Sequence, residues 1–419
     1  MKALTYFISL IGTILLFTFT ILAAKTVDVT KVGAIGDGTT LNTVKIQNAI
    51  DDCSAKGGCT LLFPKGVFLT GAIFIKKGVN LHLAEGAVVK GSTDRKDYPK
   101  MKTRIEGHFP EWLPALINAD KTDSLRITGK GTFDGNGVPF WADFWARRKE
   151  NPKTTNLDVE RPRLMFIQNS KNIKISGVTF KDSGFWNLHI YNCHKVLVEN
   201  ARFEVQDGLR APSSDAIDID SSQDVTVRRC NFRIDDDAVC LKGTKGPFAM
   251  DDKLSPPVEN IRVTDCTFER GHGVLTIGSE GTIIRNVIIE NSKVTGPIPL
   301  VRLKLRLDTP QLYENIHYRN ITLDSTGAIF EIRPWKQFFD LKGQPPPNSV
   351  VRNITISNIK GTFGSFGEIQ GNAGQTTISN IKVENVDVQI KNDKLTTVGV
   401  TNLTMKKVKV NGKPFVLKP

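Results

Sequence analysis

The chain has 419 residues, of which 40% are hydrophobic and 24% are charged, which is enough apolar material for a sizeable core. This length allows two or three ordinary domains or one elongated repeat domain. Beyond residue 24 no stretch is long and apolar enough to span a bilayer, which excludes a protein built from several membrane spans. The formal net charge of +13 favours anionic partners, but it does not distinguish between nucleic acid, membrane surfaces and acidic polysaccharides. A surface that is charged only for solubility is equally compatible with this net charge.

The first residues indicate export from the cytoplasm. Lys2 precedes an almost unbroken apolar run over residues 3–22, and two alanines stand before the polar Lys25. This order is typical of a secretory signal peptide at residues 1–24 and predicts a periplasmic or extracellular protein. The apolar run is also long enough for an uncleaved N-terminal membrane anchor, which is the alternative interpretation.

The next segment predicts a short helix and a disulfide. Apolar residues recur near helical spacing over residues 44–53. Cys53 and Cys59 flank a tight segment and can form a bridge in an oxidising compartment. The remaining cysteines lie in strand-like segments and are expected to be free and buried: Cys193, Cys230, Cys240 and Cys266. No C-x-x-C pair occurs, so a zinc site is not indicated.

The stretch over residues 94–163 lacks the repeats seen later and is rich in Trp, Phe, Pro and Arg. Strand-like phrases still occur inside it, for example Leu125-Arg126-Ile127-Thr128. We therefore interpret this stretch as one coil with large loops beside a cleft, rather than as a second domain.

From residue 172 onward one phrase recurs: a polar residue, usually Asn, then a β-branched or aliphatic residue and an alternating run. Successive copies lie about 22 to 38 residues apart, which is the range of solenoid repeats. The copies begin at Asn172, Lys195, Asp224, Asn260, Asn286, Asn315, Asn353, Asn380 and Asn402. Outside residues 44–53 no long stretch shows helical periodicity.

One such coil cannot bury its own apolar residues, whereas stacked coils bury them in a continuous core. We therefore predict an all-β fold, a single-domain right-handed parallel β-helix over residues 25–419. The helix at residues 44–53 is expected to cap the open first coil. Because the intervals vary, one side of the solenoid carries insertions, and insertions on one face usually form the binding surface.

Two acidic clusters lie between residues 207 and 237. Asp215 belongs to the first, and Asp235, Asp236 and Asp237 form the second. Asp215 and Asp236 are 21 residues apart, or about one coil, and stacked coils lie about 4.8 Å apart, so these carboxyls can be neighbours. One protonated and one ionised carboxyl is what acid–base hydrolysis of a glycosidic bond requires. Because consecutive strand residues face opposite ways, Asp236 and Asp237 can share a cleft only at a bend, and a solvated turn or a calcium site is the alternative.

Two later segments add a histidine and a row of cations. His272 lies between two glycines, so its imidazole is uncrowded and suited to hydrogen bonding with a catalytic carboxyl. Strand alternation puts Arg302, Lys304 and Arg306 on one face, where an anion such as a substrate carboxylate would offset their charge. Taken singly, an ordinary turn histidine and a basic solvent-facing strand remain alternatives.

In their order along the chain, these segments resemble glycoside hydrolase family 28, the polygalacturonase family. The family motifs Asn-Thr-Asp, Asp-Asp, Gly-His-Gly and Arg-Ile-Lys have counterparts in Ser213-Ser214-Asp215, Asp236-Asp237, Gly271-His272-Gly273 and Arg302-Leu303-Lys304. Residues 32–38, 131–137 and 183–189 also resemble family segments, so the resemblance covers nearly the whole mature chain. The residues after the acidic run match those after the family's Asp pair, which leaves Asp235 outside the pair.

This resemblance implies an inverting hydrolase in which Asp236 protonates the leaving oxygen while Asp215 and Asp237 activate the attacking water. His272 would hydrogen-bond within the acid group and help to hold its protonation state.

The resemblance also implies residues that contact the substrate. Arg302 and Lys304 would bind a galacturonate carboxylate. Trp186 and His189 are candidates for stacking on sugars or hydrogen bonding to them. The remaining substrate-side positions are Ser213, which replaces the motif's Asn and so alters that contact, and Trp335, for which packing is the preferred interpretation. The resemblance implies no metal and no cofactor.

The implied substrate is an acidic plant cell-wall polysaccharide, pectin, or its oligosaccharides, and the expected state is a monomer. Long segments at 94–163 and 243–257 favour exo action by blocking further subsites, and they equally fit a rhamnogalacturonan substrate. Two other classes stay open: a calcium-dependent β-helix lyase and a non-enzymatic carbohydrate-binding β-helix. Nucleic acid is not an expected partner, because the chain has an export signal and no nucleic-acid motif.

Overall fold

Alternating strand residues, separated by polar turns, wind the backbone into coils that stack on one another. A computed structural model of the protein describes residues 25–336 and 339–416, and within them 32 strands join one sheet of mainly parallel pairs. The fold is a right-handed parallel β-helix with a helix at its start, which confirms the predicted fold class. The predicted signal peptide, residues 1–24, lies outside the described residues.

The strands of the first half are β1 (Thr26–Asp28), β2 (Asp37–Leu41), β3 (Cys59–Phe63), β4 (Gly66–Thr70), β5 (Ile73–Ile75), β6 (Val79–Leu83), β7 (Ala87–Gly91), β8 (Met101–Lys102), β9 (Glu111–Trp112), β10 (Ile117–Asp120), β11 (Arg126–Gly129), β12 (Thr132–Asp134), β13 (Met165–Gln168), β14 (Lys171–Ser176), β15 (Thr179–Lys181), β16 (Leu188–Tyr191), β17 (His194–Glu199) and β18 (Arg202–Glu204). The strands of the second half are β19 (Ile217–Asp220), β20 (Gln223–Arg228), β21 (Asn231–Arg233), β22 (Asp237–Lys242), β23 (Val258–Thr264), β24 (Thr267–Arg270), β25 (Gly273–Ile277), β26 (Ile283–Glu290), β27 (Lys293–Val294), β28 (Val301–Leu305), β29 (Leu312–Asp324), β30 (Ala328–Pro334), β31 (Ser349–Gln370), β32 (Thr376–Val398), β33 (Val400–Val410) and β34 (Lys413–Pro414).

Three parallel stacks run along the solenoid, one on each side of a coil. The stack that carries the candidate site, called the site stack below, contains β5, β10, β13, β16, β19, β22, β25, β28 and β30. The second stack includes β3, β6, β11, β14, β17, β20, β23 and β26. The third includes β4, β7, β12, β15, β18, β21, β24 and β27. Each position in a coil therefore has a counterpart directly above and below it.

Inside the coils, this correspondence places like residues in rows. Phe180, Phe203, Phe232 and Phe268 stack in the third stack, with ring centroids 4.7, 5.4 and 5.0 Å apart and nearly parallel planes. All four rings are buried in the central core. Repetition of one residue type per coil thus fills the interior with the same contact repeated along the axis.

The recurring asparagines form a second kind of row, on the outside of the turns. Each of these Asn residues has a positive φ, and Asn315 has a φ of 57°. The Asn315 amide donates to Asn286 at 3.2 Å and its oxygen accepts from Asn353 at 3.0 Å. Asn tolerates this left-handed conformation and bonds to its counterpart one coil away, which explains why the repeated phrase begins with it.

The helix α1 (Thr43–Ala55) covers the first coil, as expected for residues 44–53. Its buried face consists of Ile46, Ala49, Ile50 and Cys53. The predicted bridge is present, because Cys53 and Cys59 are joined by an S–S bond of 2.00 Å, and the other four cysteines are free and buried.

The interpretation of residues 94–163 was incomplete. The stretch contributes coil strands and the small antiparallel pair β8–β9, as expected for a coil with loops. It also contains a helix, α2 (Val138–Glu150), and the statement that no helical periodicity occurs outside residues 44–53 is wrong there. Only Phe140, Trp141 and Phe144 of α2 are buried, so its apolar stripe is too short to stand out from the sequence. Among the described residues, no helix is long and apolar enough to cross a membrane.

The asparagine row makes a prediction about stability. Asn315→Ala removes two row hydrogen bonds and holds an alanine at a positive φ, so we expect a loss of about 1–3 kcal/mol in the free energy of unfolding. Asn315→Gly removes the same bonds without the steric cost and is expected to lose less. Denaturant unfolding of both variants checks this, and an equal loss in the two would contradict the role given to backbone conformation.

Candidate active site

The register of the site stack brings the predicted acids together. Ile217 of β19 pairs with Val239 of β22, and the Ala216 amide donates to the Asp237 carbonyl at 2.9 Å. Asp215 therefore lies beside Asp237, which occupies the same position in the next coil. Asp236 lies in the turn just before β22, which is the bend required for Asp236 and Asp237 to share one surface.

Asp237 is fully buried among cations and a hydroxyl. Its Oδ2 accepts from Lys304 Nζ at 2.6 Å, and its Oδ1 accepts from Thr276 Oγ1 at 2.7 Å and Arg302 Nη1 at 3.2 Å. Burial alone would raise the pKa of this carboxyl, but Lys304 and Arg302 outweigh burial and lower the pKa. Asp237 is therefore ionised throughout the neutral range.

Asp236 is the most exposed of the three carboxyls and is tied to His272. The exposed fraction of the Asp236 side chain is 24%, against 5% for Asp215 and none for Asp237. Asp236 Oδ1 lies 3.1 Å from His272 Nδ1, and the His272 amide donates to the Asp236 carbonyl at 2.8 Å. The hydrogen bond to Asp236 raises the pKa of His272. Burial opposes ionisation of Asp236, but the bond to His272 and the charges of His272 and Lys304 together outweigh burial and lower the pKa of Asp236.

Asp215 differs from its two neighbours because it binds a proton near neutral pH. Burial and the charge of Asp236 raise the pKa of Asp215 to about 7, although Lys242 and Lys304 oppose the shift. The charge of Asp236 disfavours ionisation of Asp215, which is one reason why Asp215 binds a proton more tightly than its neighbours. The site thus holds two carboxyls whose pKa is lowered, Asp236 and Asp237, next to one that keeps a proton near neutral pH.

The glycines on both sides of His272 have a structural reason. A Cβ on Gly273 would lie 2.3 Å from Thr276 Oγ1 and 3.2 Å from the Arg302 side chain. A Cβ on Gly271, whose φ is 156°, would lie 2.8 Å from the Asp236 carbonyl oxygen. Glycine at both positions lets the backbone approach Asp236 and Arg302 closely enough for the site to close around His272.

The predicted row of cations divides into two parts. Arg302 and Lys304 share one face of β28, as alternation predicted, and both bind Asp237. Arg302 Nε also lies 3.2 Å from Glu331. Arg306 pairs with Asp308 instead, at 2.7 Å, and so is not part of the charge cluster around Asp237.

The remaining predicted substrate contacts are not at the open surface in this structure. His189 is fully buried between Arg163, 2.7 Å from its Nδ1, and Asp220, 3.3 Å from its Nε2. Burial, opposed by the bond to Asp220, lowers the pKa of His189 to about 3, so its imidazole is neutral. Trp186 is 3% exposed and its ring faces Lys242, whose Nζ lies 4.6 Å from the ring centroid.

Ser213 and Trp335 also have internal partners. Ser213 is buried with a φ of 56°, and its Oγ accepts from Arg161 at 3.3 Å. Trp335 is half-buried, and Lys304 Nζ lies 4.8 Å from its ring centroid. Trp335 therefore lies beside the cations of the site, while Ser213 lies behind Asp215.

Sequence reasoning missed three charged residues that complete the acid cluster. Lys242 Nζ lies 3.4 Å from Asp215, 3.4 Å from Asp218 and 3.7 Å from Glu280. Strict alternation would put Asp215 and Asp218, three residues apart, on opposite faces, so only the bend before β19 and the coil register show that these residues meet. The one combination of acid and thiol atoms in the described residues that is compact enough for a cation is Asp215, Asp237 and Cys240, within 4.8 Å of one another. Lys304 and Lys242 already supply positive charge to its carboxylates.

Two long loops meet beside this cluster. Arg104, fully buried in the first loop, donates to Asp220 at 2.9 Å and to Thr244 of the second loop at 3.2 Å. Glu106 pairs with Lys245 at 3.4 Å, and Lys245 lies 3.8 Å from Glu280. These ion pairs join segments 103–108 and 243–257 into a wall next to the acid cluster.

A parallel β-helix that gathers ionised and protonated carboxyls, a histidine and paired cations on one face belongs to the class of enzymes that hydrolyse glycosidic bonds. The family model "Glycosyl hydrolases family 28" matches residues 53–411, and the chain belongs to this family. An exo-poly-alpha-D-galacturonosidase from Dickeya chrysanthemi is 28% identical over 95% of this chain and 74% of its own length. An endo-polygalacturonase from Pectobacterium parmentieri is 25% identical over 84% of this chain and 86% of its own. The structure of a hyperthermoactive exopolygalacturonase from Thermotoga maritima covers 93% of both chains at 25% identity, with a TM-score of 0.78.

The contact between His272 and Asp236 predicts a titration difference. Because a charged partner favours the imidazolium, the pKa of His272 is expected to exceed the usual histidine value and to fall in Asp236→Asn. The ion pair is complete where Asp236 is ionised and His272 is protonated, and it is lost as the pH rises through the pKa of His272. Histidine NMR titration of both proteins measures this difference. His317 is an internal control, because its pKa is lowered chiefly by burial. An unchanged His272 titration in the variant would contradict the contact.

Proposed function

We propose that the protein is an inverting hydrolase of galacturonate-containing pectic polysaccharide and that it acts from a chain end. The observation that carries the proposal is the division of labour among three neighbouring carboxyls. Asp237 is held ionised by Lys304 and Arg302, while Asp215 binds a proton near neutral pH beside the more exposed Asp236. Hydrolysis needs a proton donor and a carboxylate that activates water, and this arrangement supplies both.

Asp236 is proposed as the general acid. It is the most exposed of the three carboxyls, so it is the one that can reach the oxygen of a scissile bond. In the proposed reaction, the proton that Asp215 holds in the free protein is carried by Asp236, and the negative charge is on Asp215. His272 lies 3.1 Å from Asp236 and also holds a proton there. His272 can therefore replace the proton that Asp236 donates to the leaving oxygen.

Asp215 and Asp237 are proposed to activate the attacking water. Their carboxylate oxygens lie within 4.8 Å of each other, a gap that one water molecule can bridge with two hydrogen bonds of about 2.7 Å. With the proton on Asp236, both carboxylates are ionised and can accept a proton from that water. Inversion is part of the proposal on the grounds of family membership.

Arg302 and Lys304 are proposed to bind the galacturonate carboxylate. Asp237 and Glu331 offset part of their charge, and both side chains are 11% exposed at the edge of the site. A substrate carboxylate at this edge would contact the exposed parts of the two cations.

The loop wall supports exo action. The hydrogen bond of Arg104 to Thr244 and the ion pair of Glu106 with Lys245 lock the two loops together beside the acid cluster, where a longer substrate chain would otherwise continue. The family relatives named above include both exo and endo enzymes, so the mode rests on this wall. Export through the segment at residues 1–24 and action as a monomer complete the proposal.

Loss of the proposed acid makes the first functional prediction. Asp236→Asn is expected to lower the rate of reducing-sugar release from polygalacturonate by about 10²–10⁴-fold, because the proton donor is gone. The matched control is Asp235→Asn, since Asp235 pairs with Arg270 at 2.9 Å and accepts from the Ala211 amide, away from the other acids. We expect it to stay within a few-fold of the parent. A fully active Asp236→Asn protein, folded by circular dichroism, would refute the acid assignment.

The time course of products tests the mode and the substrate. On polygalacturonate we expect galacturonate monomer from the first time points, because the wall admits only the end of a chain. An early spread of oligomers would show endo action, and faster cleavage of rhamnogalacturonan would show a different sugar preference. Calcium-dependent ultraviolet absorbance from an unsaturated product would identify a lyase instead.

A further inference from the structure

Lys242 is a buried lysine that the proposed chemistry does not yet use. It is 5% exposed, and its Nζ lies 3.4 Å from Asp215, 3.4 Å from Asp218 and 3.7 Å from Glu280. Its fourth side is closed by the Trp186 ring at 4.6 Å. A lysine buried among three carboxyls and one aromatic face is compensated in charge and held in a fixed position.

Asp218 shows that this cluster is not an ordinary set of ion pairs. Asp218 has no exposed surface, and neither of its carboxyl oxygens has a hydrogen-bond partner among the described residues. Its nearest cation is Lys242, and burial together with the charge of Asp215 raises its pKa. Burial and the charge of Asp215 thus favour the neutral form of Asp218, which leaves more of the positive charge of Lys242 for Asp215 and Glu280.

Lys242 and Asp215 have fixed neighbours on every side. Glu280, which follows β25, is held ionised against burial by Lys242 and Lys245. The titratable and charged groups that face Asp215 or Lys242 from the surrounding elements are Asp218 on β19, Asp236, Asp237 and Cys240 on β22 and the turn before it, Glu280 after β25, and Lys304 on β28. Lys242 is the cation nearest to Asp215 in this set, because Lys304 contacts Asp237 directly.

We propose that Lys242 is a positioning residue that stabilises the ionised form of Asp215, and so prepares Asp215 to act as the base while Asp236 acts as the acid. This inference rests on the proposed function. A cation 3.4 Å from Asp215 stabilises its ionised form and has no contact with Asp236, so it favours the arrangement in which Asp215 is the base and Asp236 the acid. Glu280 also interacts with Lys242, so it weakens the stabilisation of ionised Asp215 by Lys242.

The test is the pH dependence of kcat/KM on polygalacturonate. Ionisation of Asp215 limits the acid side of the profile, and its pKa is about 7 in the free protein. Lys242→Met should move the acid limb to higher pH by about one unit or more, because a cation in contact with the carboxyl is lost. Lys242→Arg should restore most of the shift, which a purely structural role for this side chain would not require.

Lys245→Met is the matched control. Lys245 lies 3.8 Å from Glu280 and 3.4 Å from Glu106, so it is a neighbouring lysine of the same cluster that does not contact Asp215. The acid limb should move much less in Lys245→Met than in Lys242→Met, because Lys245 acts on Asp215 only through Glu280 and Lys242. Glu280→Gln offers a change of opposite sign, because removing a negative charge beside Lys242 should move the limb to lower pH, and this holds even if Lys242→Met fails to fold.

The results separate the two proposals. A parent protein that releases no reducing sugar refutes the proposed function. If the parent is active but the acid limb of the pH profile is unchanged in a folded Lys242→Met protein, only the role of Lys242 is refuted. Equal shifts of the acid limb in Lys242→Met and Lys245→Met would also refute that role. If Lys242→Met does not fold, an unmoved or raised limb in Glu280→Gln refutes the role.

Discussion

Backbone pairing between successive parallel coils is the constraint on which the rest of the molecule depends. It fixes the residues of neighbouring coils at a spacing of about 4.8 Å and leaves little choice of register, because a slip by one residue would turn core side chains outward. The site is assembled entirely by this pairing. Asp215, Asp237, His272 and Arg302 come from or beside four consecutive strands of the site stack, and they share no local sequence context.

The same pairing explains how one residue type can have three protonation behaviours within one site. Asp237 faces two cations from the strand two coils further on, so it stays ionised. Asp236 lies in the turn before β22, where its Oδ1 is 3.1 Å from Nδ1 of the histidine of the next coil. Asp215 is buried between an acid and a lysine, which brings its pKa to about 7. Buried ion pairs of this kind contribute little net stability, because desolvation of the charges offsets their attraction. Their consequence here is that the distribution of protons is set by position in the coil.

Much of this could be predicted from the sequence, because the coil repeats. The recurring polar residue followed by alternation indicated the solenoid, and the structure explains the residue type through the left-handed Asn row. The acids, His272 and the two cations of β28 were predicted because each lies in a short ordered motif. Lys242 and Glu280 were not predicted, because coil length varies. Asp237 follows Asp215 by 22 residues, whereas its partner in the next coil, Gly273, comes only after an insertion. Burial of Trp186 and His189 depends on how residues 94–163 fold over them, and no local pattern reports that packing.

The wall and the acid cluster are joined through one carboxylate. Glu280 contacts Lys242, which lies against Asp215, and Lys245, which pairs with Glu106 in the opposite loop. A substrate end that pressed on this wall would therefore act on charges one contact away from the proposed base. In a low-dielectric cluster, a small movement of Lys245 changes how strongly Glu280 draws on Lys242, and Lys242 in turn sets the ionisation of Asp215. The residues that limit where a chain can bind and the residues that distribute the proton thus form one connected set of charges, although they come from separate loops and coils.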